Sequence, residues 1–80
     1  MFSKEKFGAR MRKAREAKGV SQTEAARQVS GQAAMISDIE TGRRTTTVEK
    51  LAVLADYYGV STDYLLGLTD EPRPWREEEK

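Results

Sequence analysis

Residues 21–42 read SQTEAARQVSGQAAMISDIETG and have the pattern of two short helices joined by a tight turn. Ser21 and Glu24 form a capping box, in which the hydroxyl accepts a free amide at the helix start and the carboxylate reaches back to the cap. One helix is therefore predicted to begin at Ser21. Its inward face is predicted to consist of three apolar residues at helical spacing, Ala25, Ala26 and Val29.

The helical pattern breaks at Ser30 and Gly31. We expect the glycine to supply the positive φ of the turn, because it lacks a Cβ atom. An apolar stripe resumes at Ile36 and Ile39 and stops at Gly42, which is typical of a second short helix. Two helices joined by a few residues that include glycine match the DNA-binding helix-turn-helix.

This stretch resembles the helix-turn-helix of the Cro and phage-repressor (XRE) family. The family has a glutamine opening the first helix, an alanine at the helix crossing, two branched apolar residues in the second helix and a Glu-x-Gly ending. The corresponding residues here are Gln22, Ala26, Ile36, Ile39, Glu40 and Gly42. The chain departs from the family at the turn, where the family has glycine followed by a small apolar residue. The likeness runs from about Phe7 through Asp70. It implies an all-α fold, a compact five-helix, phage-repressor-like DNA-binding domain.

The composition excludes several kinds of chemistry. The 80 residues include no cysteine and no histidine, so disulfides, thiolate metal sites and histidine-based catalysis are excluded. The sequence has no phosphate-binding glycine loop and no paired carboxylates, and we expect neither catalytic residues nor a metal or cofactor. No apolar run approaches the ~18 residues of a membrane span, and no signal peptide is recognisable, so a cytoplasmic protein is expected.

The net charge of +1 conceals an asymmetry along the chain. Residues 1–50 contain eleven Lys or Arg against six Asp or Glu, a net of +5, whereas residues 51–80 contain three against seven, a net of −4. A basic segment around the motif suits a protein with one phosphate-facing side. The alternative is that charge is scattered by chance in a small helical protein.

A first helix is predicted to begin after Ser3 and to end at Gly19. Its buried stripe is predicted to comprise Phe7, Met11 and Ala14. Five cations fall off this stripe, and a solvated face is expected for most of them: Lys4, Lys6, Arg10, Arg12 and Lys13. The resemblance implies a different role for Arg15, which would pair with Glu40 and tie the first helix to the motif. Because the loss of one charge strands the other, this pair is expected to be structural.

The second helix of the motif is predicted to read bases. With Ile36 and Ile39 turned inward, its outward residues are the candidates for base contacts: Gln32, Ala33, Ala34, Ser37, Asp38 and Thr41. Glutamine bonds adenine through two hydrogen bonds, alanine contacts the thymine methyl and aspartate accepts from cytosine N4. The face has no Arg or Lys, although arginine to guanine is the commonest specific contact. A solvent-facing role for Asp38, with Met35 partly covered, is the alternative.

A polar loop with two arginines and three threonines follows the motif. We expect phosphate contacts from this loop and from free amides at the starts of two helices. The residues assigned to phosphate contacts are Ser21, Gln22, Arg43, Arg44, Thr46 and Thr47. Thr46 and Glu49 repeat the capping-box spacing, and the next helix is predicted to start at Thr46 and Thr47 and to read VEKLAVLADYYG.

Two further helices are predicted after this loop. The fourth ends at Gly59 and is predicted to bury Val48, Leu51, Ala52, Leu54, Ala55 and Tyr58. The fifth is capped by Ser61, with Asp63 in its first turn and Leu65 in the core. In the resembling repressors this region often forms the dimer contact. The resemblance therefore implies a dimer contact at Tyr64, Leu66 and Leu68. The alternative is that these side chains fold back on the first helix.

The chain is predicted to divide into a domain and a tail. Residues 1–69 form the helix-turn-helix domain, with the motif at 21–42, and residues 70–80 are charged and contain both prolines. Such a tail is expected to be poorly ordered on its own. Trp75 is expected to dock on the final helix or on a second subunit, as part of the dimer contact, and a disordered end is the alternative. No ligand-binding domain is recognisable, so no small-molecule partner is expected.

These features favour a sequence-specific regulator of transcription. In this hypothesis the chain is a repressor that binds double-stranded DNA in the major groove, as a homodimer on a two-fold operator. The alternative is a protein-interaction module that uses the same fold as an antitoxin or anti-repressor. The uncharged reading face favours the alternative, and the arginines beside it favour the regulator.

Overall fold

A computed structural model describes residues 1–74 as five α-helices without a strand. The helices are α1 (Lys4–Lys18), α2 (Gln22–Arg27), α3 (Ala33–Glu40), α4 (Val48–Tyr58) and α5 (Thr62–Leu66). The prediction of an all-α, five-helix domain is confirmed. Within residues 1–74, no helix is long and apolar enough to cross a membrane.

Most of the helix boundaries follow from local capping. Ser3 and Ser61 each accept a hydrogen bond from the backbone amide three residues later, and the Ser21–Glu24 capping box is complete. The predicted capping box of α4 is wrong. The cap of α4 is Thr47, whose hydroxyl accepts from the Lys50 amide, so α4 starts one residue later than the Thr46–Glu49 pattern predicts. This cap is a single hydrogen bond rather than a capping box.

The turn between α2 and α3 also differs from the prediction. The residue with positive φ is Ser30, at 52°, and not Gly31. The Gly31 amide donates to Ala26 O and the Ser30 amide donates to Arg27 O, which are the two bonds of a Schellman helix end. This motif places Ser30 at its left-handed position. Gly31 instead leaves room for a neighbouring side chain, because a Cβ at this position would lie 2.6 Å from Met35 Cε.

The core lies where α1 packs against α3 and α5 and where α2 crosses α3. Its largest fully buried side chains are Met11, Ile36, Ile39, Leu54 and Leu65. The predicted inward face of α4 is too broad. Val48 is 79% exposed and Ala52 is exposed, because only the Leu54, Ala55 and Tyr58 side of this helix meets the core. Val29 on α2 is half-buried.

Arg10 holds the segment after α5 against α1 and is an exception to the solvated face expected for most cations of this helix. Its guanidinium donates to Tyr64 O and Thr69 O, at 2.6 Å each, and to the Asp70 carboxylate at 2.7 Å. The same group lies 4.3 Å from the Tyr64 ring centroid. The Arg10 hydrogen bond lowers the pKa of Asp70. The predicted boundary at residue 69 therefore falls inside a segment that contacts the domain.

The apolar residues of α5 and the turn after it have different environments. Tyr64 is buried against α1 and follows the alternative of folding back on that helix. Leu66 is half-buried, and Leu68 is 73% exposed. Trp75 lies outside the described residues.

Candidate nucleic-acid interface

A network of polar side chains fixes the end of α3 to α1 and α2. Glu40, the last residue of α3, is 8% exposed and accepts from Arg15 Nε at 2.7 Å and from Arg15 Nη2 at 3.2 Å. Arg15 also donates to Val20 O at 2.8 Å. The hydrogen bond to Glu40 raises the pKa of the Arg15 guanidinium, so Arg15 keeps its charge throughout the physiological range. The structure thus contains the ion pair that the resemblance implies.

Gln22 joins this network, since its side-chain amide donates to Glu40 Oε1 at 3.1 Å. The polar groups of Ser21 are also used inside the chain. Its amide donates to Glu24 Oε1 at 3.1 Å, and its hydroxyl accepts from the Glu24 amide at 3.0 Å. The side chains of both residues, assigned from the sequence to phosphate contacts, are therefore occupied in holding α2 in place.

Tyr58 lies beside the ion pair, and its hydroxyl is buried without a hydrogen-bond partner among residues 1–74. Burial raises the pKa of Tyr58 to about 12; the charge of Glu40 adds to the rise and that of Arg15 opposes it. We expect Tyr58→Phe to leave the free energy of unfolding at pH 7 unchanged or to raise it by up to ~1 kcal/mol, because no internal bond is lost.

The effect of Tyr58→Phe on stability should also depend on pH, which tests the buried environment of the hydroxyl. The folded-state pKa lies above the ordinary value of 10.0, so the unfolded chain ionises first and the contribution of Tyr58 to stability falls as the pH rises from 10 towards 12. Urea unfolding should therefore show a growing advantage of the phenylalanine variant over that interval. A variant less stable than the parent chain by more than ~1 kcal/mol at pH 7 would show that the hydroxyl has a partner.

The outer side of α3 is exposed, because Ile36 and Ile39 on its opposite side are 2% and 1% exposed. The candidate base-reading residues all have solvent access: Gln32, Ala34 and Thr41 are exposed, and Ala33, Ser37 and Asp38 are half-buried. Gln32 is the N-cap of α3 and makes no side-chain cap bond, so its amide is available to another molecule. The arrangement presents a polar and methyl-bearing surface one helix wide.

The C-terminal end of α3 carries two arginines. The Arg43 amide donates to Asp38 O at 2.9 Å, and Arg43 Nη1 lies 3.4 Å from Asp38 Oδ1. The Arg43 side chain is still 71% exposed, and Arg44 is exposed as well. Both guanidinium groups can therefore reach an anion beside α3. Asp38 has an arginine neighbour that reduces its repulsion from phosphate.

The start of α4 adds groups near the same side. Thr46 is half-buried, and the Thr47 hydroxyl is used to cap α4. Lys50 Nζ lies 3.6 Å from the sulfur of Met35 on α3, which places a cation that sequence reasoning missed next to α3. The sequence feature that could have indicated this role is the position of Lys50 in the first turn of α4, directly after the loop that contains Arg43 and Arg44. In residues 1–74, no group of three His, Cys, Asp or Glu could hold a metal ion.

The arrangement defines a class of protein. The chain belongs to the helix-turn-helix domain family, whose sequence profile matches residues 6–68. An uncharacterised helix-turn-helix transcriptional regulator of Bacillus subtilis strain 168, YobD, is 34% identical to it over 65 residues. That match covers 81% of this chain. It covers 58% of the length of YobD, so this chain spans little more than half of that relative.

Solved structures show the same fold. The P22 c2 repressor, crystallised with a synthetic operator, has a TM-score of 0.71 and 28% identity, covering 75% of this chain and 91% of that chain. The restriction-modification controller protein C.AhdI of Aeromonas hydrophila has a TM-score of 0.70 and 29% identity, covering 78% of this chain and 90% of that one. The chain therefore has the DNA-binding fold of transcriptional regulators, a class that is not enzymatic.

Proposed function

We propose that this chain binds double-stranded DNA sequence-specifically and regulates transcription by occupying an operator. Its DNA-binding domain comprises residues 1–69, and α3 enters the major groove. The observation that carries the proposal is the exposed outer side of α3, flanked at its end by Arg43 and Arg44. The P22 c2 repressor, which shares the fold, was solved on an operator. Repression, rather than activation, is the simplest consequence of occupying a promoter.

The arginines supply the affinity in this proposal. Replacement of Arg43 and Arg44 by alanine is expected to weaken binding to all duplexes alike, on the order of 100-fold near 0.1 M salt. The slope of log affinity against log salt should fall by about 2, since each cation accounts for about one unit. Arg44→Ala alone leaves the Asp38–Arg43 contact in place and should give about half of the change in slope. Fluorescence anisotropy at several salt concentrations measures both quantities.

Arg12→Ala/Lys13→Ala is the matched control, because it removes two charges from exposed positions of α1. It should leave the salt slope close to that of the parent chain. An equal effect of the two double variants would show that only overall charge matters. Loss on one operator with normal binding to other duplexes would contradict a phosphate role for the arginines.

We further propose that the chain acts as a homodimer, with two α3 helices roughly 34 Å apart in successive major grooves. The support is an exposed apolar cleft formed by the chain start and the end of α5, lined by Met1, Phe2, Leu66, Gly67 and Leu68. Leu66 and Leu68 keep their proposed place in the dimer contact, whereas the burial of Tyr64 limits it to supporting them. Leu68→Asp should lower the dimer fraction in analytical ultracentrifugation.

A protein-interaction module is the second candidate, because α3 carries no Lys or Arg. Under that proposal the outer side of α3 binds another protein and DNA affinity stays at background. The salt titration separates the two functions. Binding that is weak and flat with salt favours a protein partner.

A further inference from the structure

The centre of the exposed side of α3 is apolar. On a helix whose inward residues are Ile36 and Ile39, the outward direction passes closest to Ala34 and, two turns later, to Thr41. Ala34 ends in a methyl group and is exposed. The chemistry at this point of the surface is therefore contact between methyl groups and not hydrogen bonding.

Thr41 contributes a methyl group as well. Its hydroxyl donates back to the helix, with Ser37 O at 3.0 Å and Asp38 O at 3.3 Å. A hydroxyl has one proton, so these carbonyls use the donor. Because the Thr41 side chain is exposed, its γ-methyl group remains available for contact with a ligand.

Asp38, the acidic residue on this side of α3, lies beside Arg43. Its carboxylate lies 3.4 Å from Arg43 Nη1, and its side chain is 36% exposed. The contact engages one of the two carboxylate oxygens in an exposed pair, so it weakens the carboxylate as an acceptor for the amine of a cytosine only modestly. Among residues 1–74, two polar side chains on this side make no internal hydrogen bond, the Gln32 amide and the Ser37 hydroxyl. Of these, glutamine is the one that discriminates between bases, because a serine hydroxyl can bond to any of them.

We propose that this chain selects A·T base pairs through methyl contacts, with Ala34 and Thr41 packing on thymine C5-methyl groups and Gln32 bonding an adenine. This proposal rests on the DNA-binding function proposed above and specifies which base pairs the operator contains. Thymine is the base that carries a methyl group in the major groove, and glutamine matches adenine there. Ala34 and Thr41 are about 10.5 Å apart along the helix, which corresponds to about three base-pair steps.

The test begins with selection of binding sites from random duplexes with the full 80-residue chain. The enriched half-site is expected to contain two thymines about three steps apart. Replacing either thymine with deoxyuridine removes only its methyl group and should weaken binding about three- to fourfold. Thr41→Ser removes the protein methyl and keeps the hydroxyl. In that variant one of the two deoxyuridine effects should disappear while the other remains.

The outcomes separate this inference from the function on which it rests. Enrichment of G·C pairs at the centre of the half-site, or equal affinity for thymine and deoxyuridine duplexes, would overturn the methyl readout and leave DNA binding intact. Failure to enrich any duplex would overturn both. A Thr41→Ser variant that keeps both deoxyuridine effects would also refute the assignment of Thr41. Circular dichroism confirms that the variant folds before its affinities are compared.

Discussion

Glu40→Ala is expected to lower the free energy of unfolding by roughly 3 to 5 kcal/mol. The substitution leaves the Arg15 guanidinium, whose side chain is 13% exposed, with Val20 O as its remaining acceptor. It also removes the acceptor of the Gln22 amide. A domain of this size has a total stability on the order of 5 to 15 kcal/mol, so the substitution removes a large fraction of it. Urea titration followed by circular dichroism measures the loss.

Glu16→Ala is the matched control. It removes an i, i+4 pair with Arg12 in which the two side chains are 54% and 62% exposed, and it should cost less than ~0.5 kcal/mol. Replacing both partners, as in Arg15→Met/Glu40→Leu, should recover much of the stability, because no charge is then stranded. Similar losses in the Glu40→Ala and Glu16→Ala variants would show that the buried pair has no special role.

Gly8→Ala is expected to be the second most damaging change, at about 2 to 3 kcal/mol. Gly8 lies where α1 crosses the end of α3, and a Cβ there would collide with the backbone oxygen of Ile39 and lie 2.8 Å from that of Glu40. Backbone atoms cannot rotate out of the way, so the two helices must separate. The higher helix propensity of alanine, about 1 kcal/mol, offsets only part of this loss.

Gly31→Ala distinguishes a backbone collision from a side-chain collision. A Cβ at Gly31 would lie 2.6 Å from Met35 Cε, the far end of a flexible side chain that can change rotamer. Its cost should stay below ~1 kcal/mol in thermal or urea unfolding. A Gly8→Ala variant as stable as the Gly31→Ala variant would contradict the close approach of α1 and α3.

The sequence predicts the helices well because their ends are set by local groups. Ser3, Ser21 and Ser61 cap the amides next to them, and Gly19 and Gly59 close helices in the left-handed conformation. Where two adjacent threonines can both cap a helix, the sequence pattern does not identify which one does. Thr46 matches the capping box, yet Thr47 is the cap, because the path of the loop decides which hydroxyl faces the free amides.

Contacts between distant segments were the part that the sequence could not provide. Arg10 looks like a surface cation by periodicity, but a segment about 60 residues later returns to accept its three hydrogen bonds. Val48 is apolar and is predicted to lie in the core, but in the structure its side chain is 79% exposed in the first turn of α4. The Arg15–Glu40 pair came from family resemblance and not from periodicity, since 25 residues separate its members.

The candidate interface was predictable in its residues but not in their chemistry. Helical spacing places Ala34, Asp38 and Thr41 outward, as the structure does. It does not indicate that the Thr41 hydroxyl turns back to the carbonyls of α3, or that Asp38 lies beside Arg43. Those two contacts change an apparently polar reading face into one with methyl groups at its centre.

The central claim is that the outer side of α3 meets the bases of a DNA duplex. An NMR titration of the ¹⁵N-labelled chain with its selected duplex tests this claim most directly, because every backbone amide reports separately. The account predicts that the largest shifts fall on residues 32–44, with smaller ones at the start of α4 and little change at Ala9 or Lys13 on α1. Shifts centred on α1 or on Leu66 and Leu68, with residues 32–41 unaffected, would contradict it.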